Sequence, residues 1–460
     1  MKKIPVIAIF DIGKTNKKLL LFDEEYKLVY EESKQLEEIR DEDGFPCEDV
    51  NALTHFVRDS FDNLLRDKRF EIKAVNFTAY GASFVYLDEG LNVLLHLYSY
   101  LKPYPAQLKG KFYATYGGEK YFTKITASPV LGNLNSGMQL YRIKYEGPQQ
   151  FAKIKYALHL PQYISFILTG KLYSDITSVG CHTNLWDFKN NTYHQWVVKE
   201  GIGEKLPSIT NSDSTTLVNE TITAGIGLHD SSAALVPYLI SFNEPFILIS
   251  TGTWCITLNP FNDAQLTNDE LQQDCLCYLS FNGKPVKASR LFAGYQHEQE
   301  VKKISEHFDK PLDYYKTVLY DEDILNKISA KKNFSNPKDN YKSGHSNFSS
   351  RELSVFDNYE EAYHQLIKDI IEQQVHSTNL VLQRTTCKRI FVDGGFSNNK
   401  IYMNLLAKAF PDMEVYAATV PQASALGAAL VIHEVWNTKS LPGNMIDLKY
   451  YSAVNETLKF

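Results

Sequence analysis

The sequence predicts an α/β protein of two similar domains, each a mixed sheet flanked by helices, with a cleft between them. Three observations carry this. An apolar run over 6–10 enters a glycine-bearing turn and a second apolar run over 19–22 leaves it, the pattern of a β-hairpin. The same arrangement returns at 246–249 and 255–258, around Ser250-Thr251-Gly252-Thr253-Trp254. Helix-period and strand-like segments alternate after each hairpin, in a chain whose 460 residues exceed one ordinary core. The expected domains are 1–222 and 223–460.

The first turn is Asp11-Ile12-Gly13-Lys14-Thr15-Asn16-Lys17-Lys18. Gly13 lets backbone N–H groups approach an anion, and Thr15 and Asn16 add side-chain donors for phosphate oxygens. Lys14, Lys17 and Lys18 add positive charge, while Asp11 at the strand end is placed to hold a hydrated Mg²⁺. Taken alone, the octet reads equally well as a solvated hairpin tip. A third strand follows at 27–32, then an acidic loop at 35–48. Val50, Leu53, Phe56, Val57 and Phe61 recur at helical spacing within 49–66, and 72–77 is a buried strand.

Thr78-Ala79-Tyr80-Gly81-Ala82-Ser83 breaks the pattern before a strand at 84–87. The prolines of 98–105 impose an extended loop, where Tyr98 and Tyr100 suit a sugar's C–H face and hydroxyls or serve as anchors of the loop. A short helix beginning at Leu160 stops at Gly170. Asp175, Ser178, His182, Thr183 and Asn184 follow in a polar loop, and the Ser/Thr-rich segment 207–219 leads to the domain boundary.

The second half opens on glycines and on His229-Asp230-Ser231-Ser232, where Asp230 reads as the start of a helix, favoured there as a cap and by the helix dipole. The segment 331–351 is expected to be a mobile loop and 360–384 a long amphipathic helix. A strand at 389–392 meets Asp393-Gly394-Gly395-Phe396-Ser397-Asn398, whose diglycine admits a flat ligand or phosphate. The small residues of 421–429 form a helix able to pack tightly.

A net charge of −6 supplies no basic field for nucleic acid, and no apolar stretch approaches the ~20 residues needed to cross a bilayer. Neither nucleic acid nor membrane is therefore an expected partner, and the expected location is the cytoplasm. The six scattered cysteines are expected to be free and reduced.

These motifs, in this order along nearly the whole chain, resemble the FGGY carbohydrate kinases of the actin, Hsp70 and hexokinase superfamily, whose domains are ribonuclease H-like. The family's first phosphate motif is matched at Asp11, Gly13, Thr15 and Lys18, with Asn16 in the serine place. Its second-domain opening resembles Gly227-Leu228-His229-Asp230, and its second phosphate turn resembles 250–254, close to the form found in rhamnulokinase-like members. Its adenosine motif resembles 393–398, and its connecting helix 421–429, with Gln422 where glutamate is usual.

The resemblance implies transfer of the γ-phosphoryl group of ATP to a hydroxyl of a ketose or polyol, with a deoxyketose such as rhamnulose or fuculose as first candidate. It implies Asp230 as the catalytic base, and Asp11 as the partner of Mg²⁺. Gly13, Thr15, Asn16, Lys18, Thr251, Gly252, Thr253, Gly394, Gly395 and Asn398 would then meet ATP, and Tyr80, Gly81, Tyr98, Tyr100, Lys102, His229 and Asp230 the sugar. The 98–105 loop lacks the acidic residue many members carry there, which leaves the sugar open. A nucleotide-switched binding protein and a degenerate sugar-binding protein are the alternatives; a homodimer is the candidate assembly.

Overall fold

The computed structural model describes residues 3–330, 347–420 and 422–452. The first expected hairpin pairs Ile4–Ile12 with Lys17–Asp23 antiparallel, from Val6 opposite Asp23 to Ile12 opposite Lys17. Leu28–Lys34 adds to its outer edge, while Phe70–Ala79 lies parallel on the other side of the first strand. The second hairpin, Phe246–Thr251 with Cys255–Asn259, repeats the plan: Pro285–Leu291 adds antiparallel to one side, and Arg389–Gly394 runs parallel on the other. Each sheet has seven strands. In both, the strand that begins the half lies inside the sheet, and its C-terminal end carries the turn.

Helices cover both faces of the sheets. Between the sheets, Asp230–Ser241 and Ala423–Val431 merge with Ile7, Ile9, Leu248 and Phe391 in one apolar core. Val50–Arg66 and Leu160–Thr169 cover the far face of the first sheet, and Ala293–His307, Tyr359–Leu382 and Lys400–Ala409 that of the second. A separate aromatic core built on Phe84, Phe112, Tyr141 and Trp196 fills the insertion after the strand Phe84–Leu87.

Local chemistry sets the helix ends. Asp49 accepts from the N–H groups of Asn51 and Ala52 at 2.8 and 3.1 Å, a cap worth about 1 kcal/mol. Gly170, at φ 65°, ends its helix in the left-handed conformation that glycine adopts without cost. The two central helices touch through Gly427, where a Cβ would stand 1.8 Å from the Ala233 carbonyl oxygen. Gly427→Val must therefore part the helices. Its unfolding free energy is expected to fall by about 1–3 kcal/mol in chemical denaturation, as overpacking a tight contact does; an unchanged midpoint would mean the helices do not meet there.

Three expectations need correction. The acidic loop at 35–48 contains a small hairpin, Glu38–Arg40 with Pro46–Glu48, whose three-residue strands are too short to show a period. The boundary at 222 falls early, because Thr223–Gly225 and Leu228–His229 both pair with Phe70–Ala79 in the first sheet. At the second-half helix it is His229 that has the cap geometry, with Asp230 the first helical residue. The expected mobile loop lies outside the described residues over 331–346, as does Pro421. No described helix is long and apolar enough to cross a membrane.

Candidate active site

The turn after the first strand is closed internally, with the Gly13 N–H donating to the Asn16 carbonyl at 2.9 Å. The buried Lys17 ammonium braces it by donating to the Gly13 and Lys14 carbonyls, and it pairs with Glu48 at 3.1 Å. Lys14 is drawn to Glu38 and Glu48, at 3.1 and 3.3 Å. Thr15 and Asn16 stay exposed at the tip, Asn16 accepting from Gln35 at 3.1 Å.

Below this turn, side chains from both halves converge. Asp11 Oδ2 accepts from the Ser424 hydroxyl at 2.8 Å, and Lys18 reaches Gln422 Oε1 at 3.2 Å and Glu31 at 2.9 Å. Burial pushes the Asp11 carboxyl up to about 6 against the Ser424 hydrogen bond, with the charge of Asp230 adding to the rise. Burial likewise pushes Asp230 up to about 6, although its side chain keeps 34% of its exposure. Asp230 accepts from the Ser231 N–H at 2.5 Å, at the positive end of its helix.

Around Asp230 stand His229 and Tyr100. His229 Nε2 lies 3.2 Å from Asp230 Oδ1, and burial holds this imidazole neutral, down to about 3. Gly81 packs on the same ring; a Cβ there would come within 3.0 Å of it. Tyr100 sits in edge contact with Tyr80, 6.0 Å between centroids, and burial raises its phenol, with Asp230 and Glu48 adding to the effect of burial.

Tyr98 and Lys102 are engaged elsewhere. The Tyr98 hydroxyl donates to Glu42 at 2.6 Å, and the buried Lys102 ammonium holds Asp41 and Asp43 at 2.5 and 2.6 Å. These carboxylates come from the unforeseen 38–48 hairpin, and Tyr98, Glu42, Asp43 and Arg142 line a cavity of about 610 Å³.

In the second half, the Gly252 N–H closes its own turn on the Trp254 carbonyl at 2.9 Å, and Thr253 is exposed at the tip. Thr251 is committed to the neighbouring loop: its hydroxyl donates to the Asp393 carbonyl and accepts from the Phe396 N–H at 3.0 Å. Gly394, at φ 86°, is what permits this contact, since a Cβ would fall 2.0 Å from the Thr251 carbonyl oxygen. Thr251, Gly252, Gly395 and Asn398 line a cavity of about 600 Å³ together with His297, Tyr315 and Leu319.

Sequence reasoning missed Ser424, Gln422, Glu48 and the pairing of Arg290 with Asp274 at 2.8 Å. Only Gln422 had a sequence signal, as a departure from the usual glutamate.

Residues 6–234 match the family model described as the N-terminal domain of the FGGY family of carbohydrate kinases, and 243–440 the one described as carbohydrate kinase FGGY, C-terminal domain. The chain is 26% identical over 184 residues to a rhamnulokinase of Halalkalibacterium halodurans, covering 38% of this chain and 39% of that protein. It is 24% identical over 233 residues to a rhamnulokinase of Bacteroides thetaiotaomicron, covering 45% and 44%. The chain thus matches less than half the length of these two relatives. Among solved structures, a carbohydrate kinase from Novosphingobium aromaticivorans superposes with a TM-score of 0.79 at 20% identity, over 98% of this chain and 95% of that one. A ligand-bound xylulose kinase from Lactobacillus acidophilus gives 0.80 at 16%, over 98% and 94%. At such identities the structures show a shared fold, the two-domain α/β architecture described above.

Proposed function

The chain belongs to the FGGY family of carbohydrate kinases, and on that premise we propose that it transfers the γ-phosphoryl group of ATP to a hydroxyl of a ketose or polyol. One observation carries the reading: side chains of the two halves converge, Asp11 accepting from Ser424 at 2.8 Å and Lys18 reaching Gln422 at 3.2 Å, close enough to the half-exposed Asp230 for its charge to raise the Asp11 carboxyl. The rhamnulokinase relatives favour a deoxyketose such as rhamnulose as the acceptor.

In this reading the adenosine enters the cavity lined by Gly395 and Asn398, and the exposed turn tips, Thr15 with Asn16 and Thr253, meet the phosphates. The turn N–H groups of Gly13 and Gly252 are used within their turns, so side chains and the remaining turn amides do this work. Asp11, whose carboxyl is raised by burial and further by the charge of Asp230, suits a cation and would fit a Mg²⁺. When bound, that ion neutralises charge on the phosphates. Asp230 accepts the proton of the attacking hydroxyl, while Gly81, Tyr100 and His229 shape the acceptor's side of the cleft. The kinase reading assigns the enzyme to the cytoplasm, where ATP is available.

ADP release measured over a panel of ketoses and polyols tests the proposal. Release that depends on one sugar supports it; release without sugar would indicate a nucleotide-switched protein, and none at all a degenerate binding protein. The base predicts a pH profile as well. Asp230 must be ionised to accept a proton, so kcat/KM should hold above pH ~7 and fall about tenfold per unit below ~6. A limb near the ordinary carboxylate value of about 4 would remove Asp230 from the role.

A further inference from the structure

Beside Asp230, three buried groups with metal-ligand chemistry meet: Cys181, His182 and His229, one ligand atom of each lying within 4.8 Å of the others. Cys181 and His182 come from the polar loop of the first half, and His229 from the junction of the halves. Phosphoryl transfer as described uses neither Cys181 nor His182.

Hydrogen bonds orient the rings. His182 Nδ1 donates to the Leu134 carbonyl at 3.0 Å, which leaves the lone pair on Nε2. Its backbone is held at φ 39°, left-handed for a non-glycine residue, and its carbonyl accepts from Asn135 at 2.8 Å. At His229, the Ser232 hydroxyl donates to the Leu279 carbonyl at 3.2 Å, so its oxygen is the acceptor for His229 Nδ1–H at 3.3 Å. The His229 Nε2 lone pair then accepts from the Cys181 thiol at 3.1 Å, and Asp230 Oδ1 lies 3.2 Å from the same nitrogen. One ligand atom from each of the three residues thus lies within 4.8 Å of the others. The neighbouring cation, Arg290, is already paired with Asp274.

We propose that Cys181, His182 and His229 form a site for a borderline-soft divalent cation, Zn²⁺ in particular, with Asp230 able to complete the tetrahedron. Tetrahedral Zn²⁺ with one sulfur and two nitrogen ligands sets its donor atoms about 3.4–3.6 Å apart, close to the 3.1 and 3.2 Å already present around His229 Nε2. The sulfur and imidazole donors discriminate against Mg²⁺, which takes oxygen ligands. As the metal–sulfur bond forms, the Cys181 thiol proton leaves to solvent. A metal held there draws on His229 and Asp230, so occupancy blocks the base and inhibits turnover reversibly. The inhibition rests on the kinase reading; the binding site does not.

Co²⁺ titration of the purified full chain reads the site without turnover. One equivalent should bring up the near-ultraviolet charge-transfer band of a cobalt–thiolate bond with a tetrahedral visible spectrum, and Zn²⁺ should displace it. Cys181→Ser should lose the charge-transfer band, and His182→Gln should weaken binding tenfold or more, with the thermal midpoint of each variant checked for folding. A wild-type protein without the thiolate band, or a band that survives in Cys181→Ser, overturns the site. If an active sugar is found, one equivalent of Zn²⁺ above saturating Mg²⁺ should cut its phosphorylation at least tenfold, chelator should restore it, and Cys181→Ser should resist. Undiminished phosphorylation with the cobalt spectrum present overturns the inhibitory role alone.

Discussion

Asp230→Asn is expected to lower turnover about 10²–10⁴-fold while leaving the fold and nucleotide binding in place. The amide is nearly isosteric, and the Ser231 N–H that now donates to the carboxylate at 2.5 Å can donate to the amide oxygen, so the helix start keeps its local bonding. What is lost is the lone pair that receives the hydroxyl proton. Because the wild-type carboxyl is raised to about 6 by burial, replacing it with a neutral group also relieves a desolvated charge, so thermal stability near neutral pH should hold or rise. The sign follows from the direction of the shift. A folded-state value above the unfolded one favours the native state at low pH, and that advantage is lost as pH rises from about 4 through 6, so Asn removes a liability. Activity and stability moving in opposite directions mark a functional carboxylate. Near wild-type phosphorylation, or a collapsed melting temperature, would falsify the assignment.

Much of this architecture was legible because it is local. Strand–turn–strand runs and the Gly170 stop are written within a few residues, and the recurrence of the hairpin at 246–258 exposed the duplicated plan. What escaped was set by distant partners. Tyr98 and Lys102 bind Glu42, Asp41 and Asp43 from a hairpin whose strands have three residues each, too short for any period to register. The Thr251 hydroxyl, read as a phosphate donor, clamps a loop 142 residues away. The Cys181–His229 contact joins residues 48 positions apart, and neither one alone suggests a metal. Turn amides are a subtler case: a glycine turn announces close approach, but the sequence does not say whether its N–H faces a ligand or closes the turn, as at Gly13.

Asp11→Asn is the complementary test, because it removes charge without removing the base. Asp11 lies half-buried near the end of the first strand, with Ser424 from the helix of the opposite half donating to it at 2.8 Å. Asparagine keeps an oxygen for that hydrogen bond, so the two halves should remain joined. The negative charge near Asp230 disappears, and with it the charge by which Asp11 would hold a divalent cation that neutralises the phosphates. Turnover is expected to fall about 10²–10³-fold, the scale of losing one preorganised electrostatic contact to the transition state. The Mg²⁺ concentration for half-maximal rate should rise, while sugar affinity, measured by calorimetry without nucleotide, should change little. Asp230→Asn should instead leave the Mg²⁺ requirement of its residual activity close to wild type. If Asp11→Asn lowers turnover with an unaltered Mg²⁺ dependence, Asp11 acts only by tying the first strand to the Ala423–Val431 helix, and Ser424→Ala should then reproduce its loss in full.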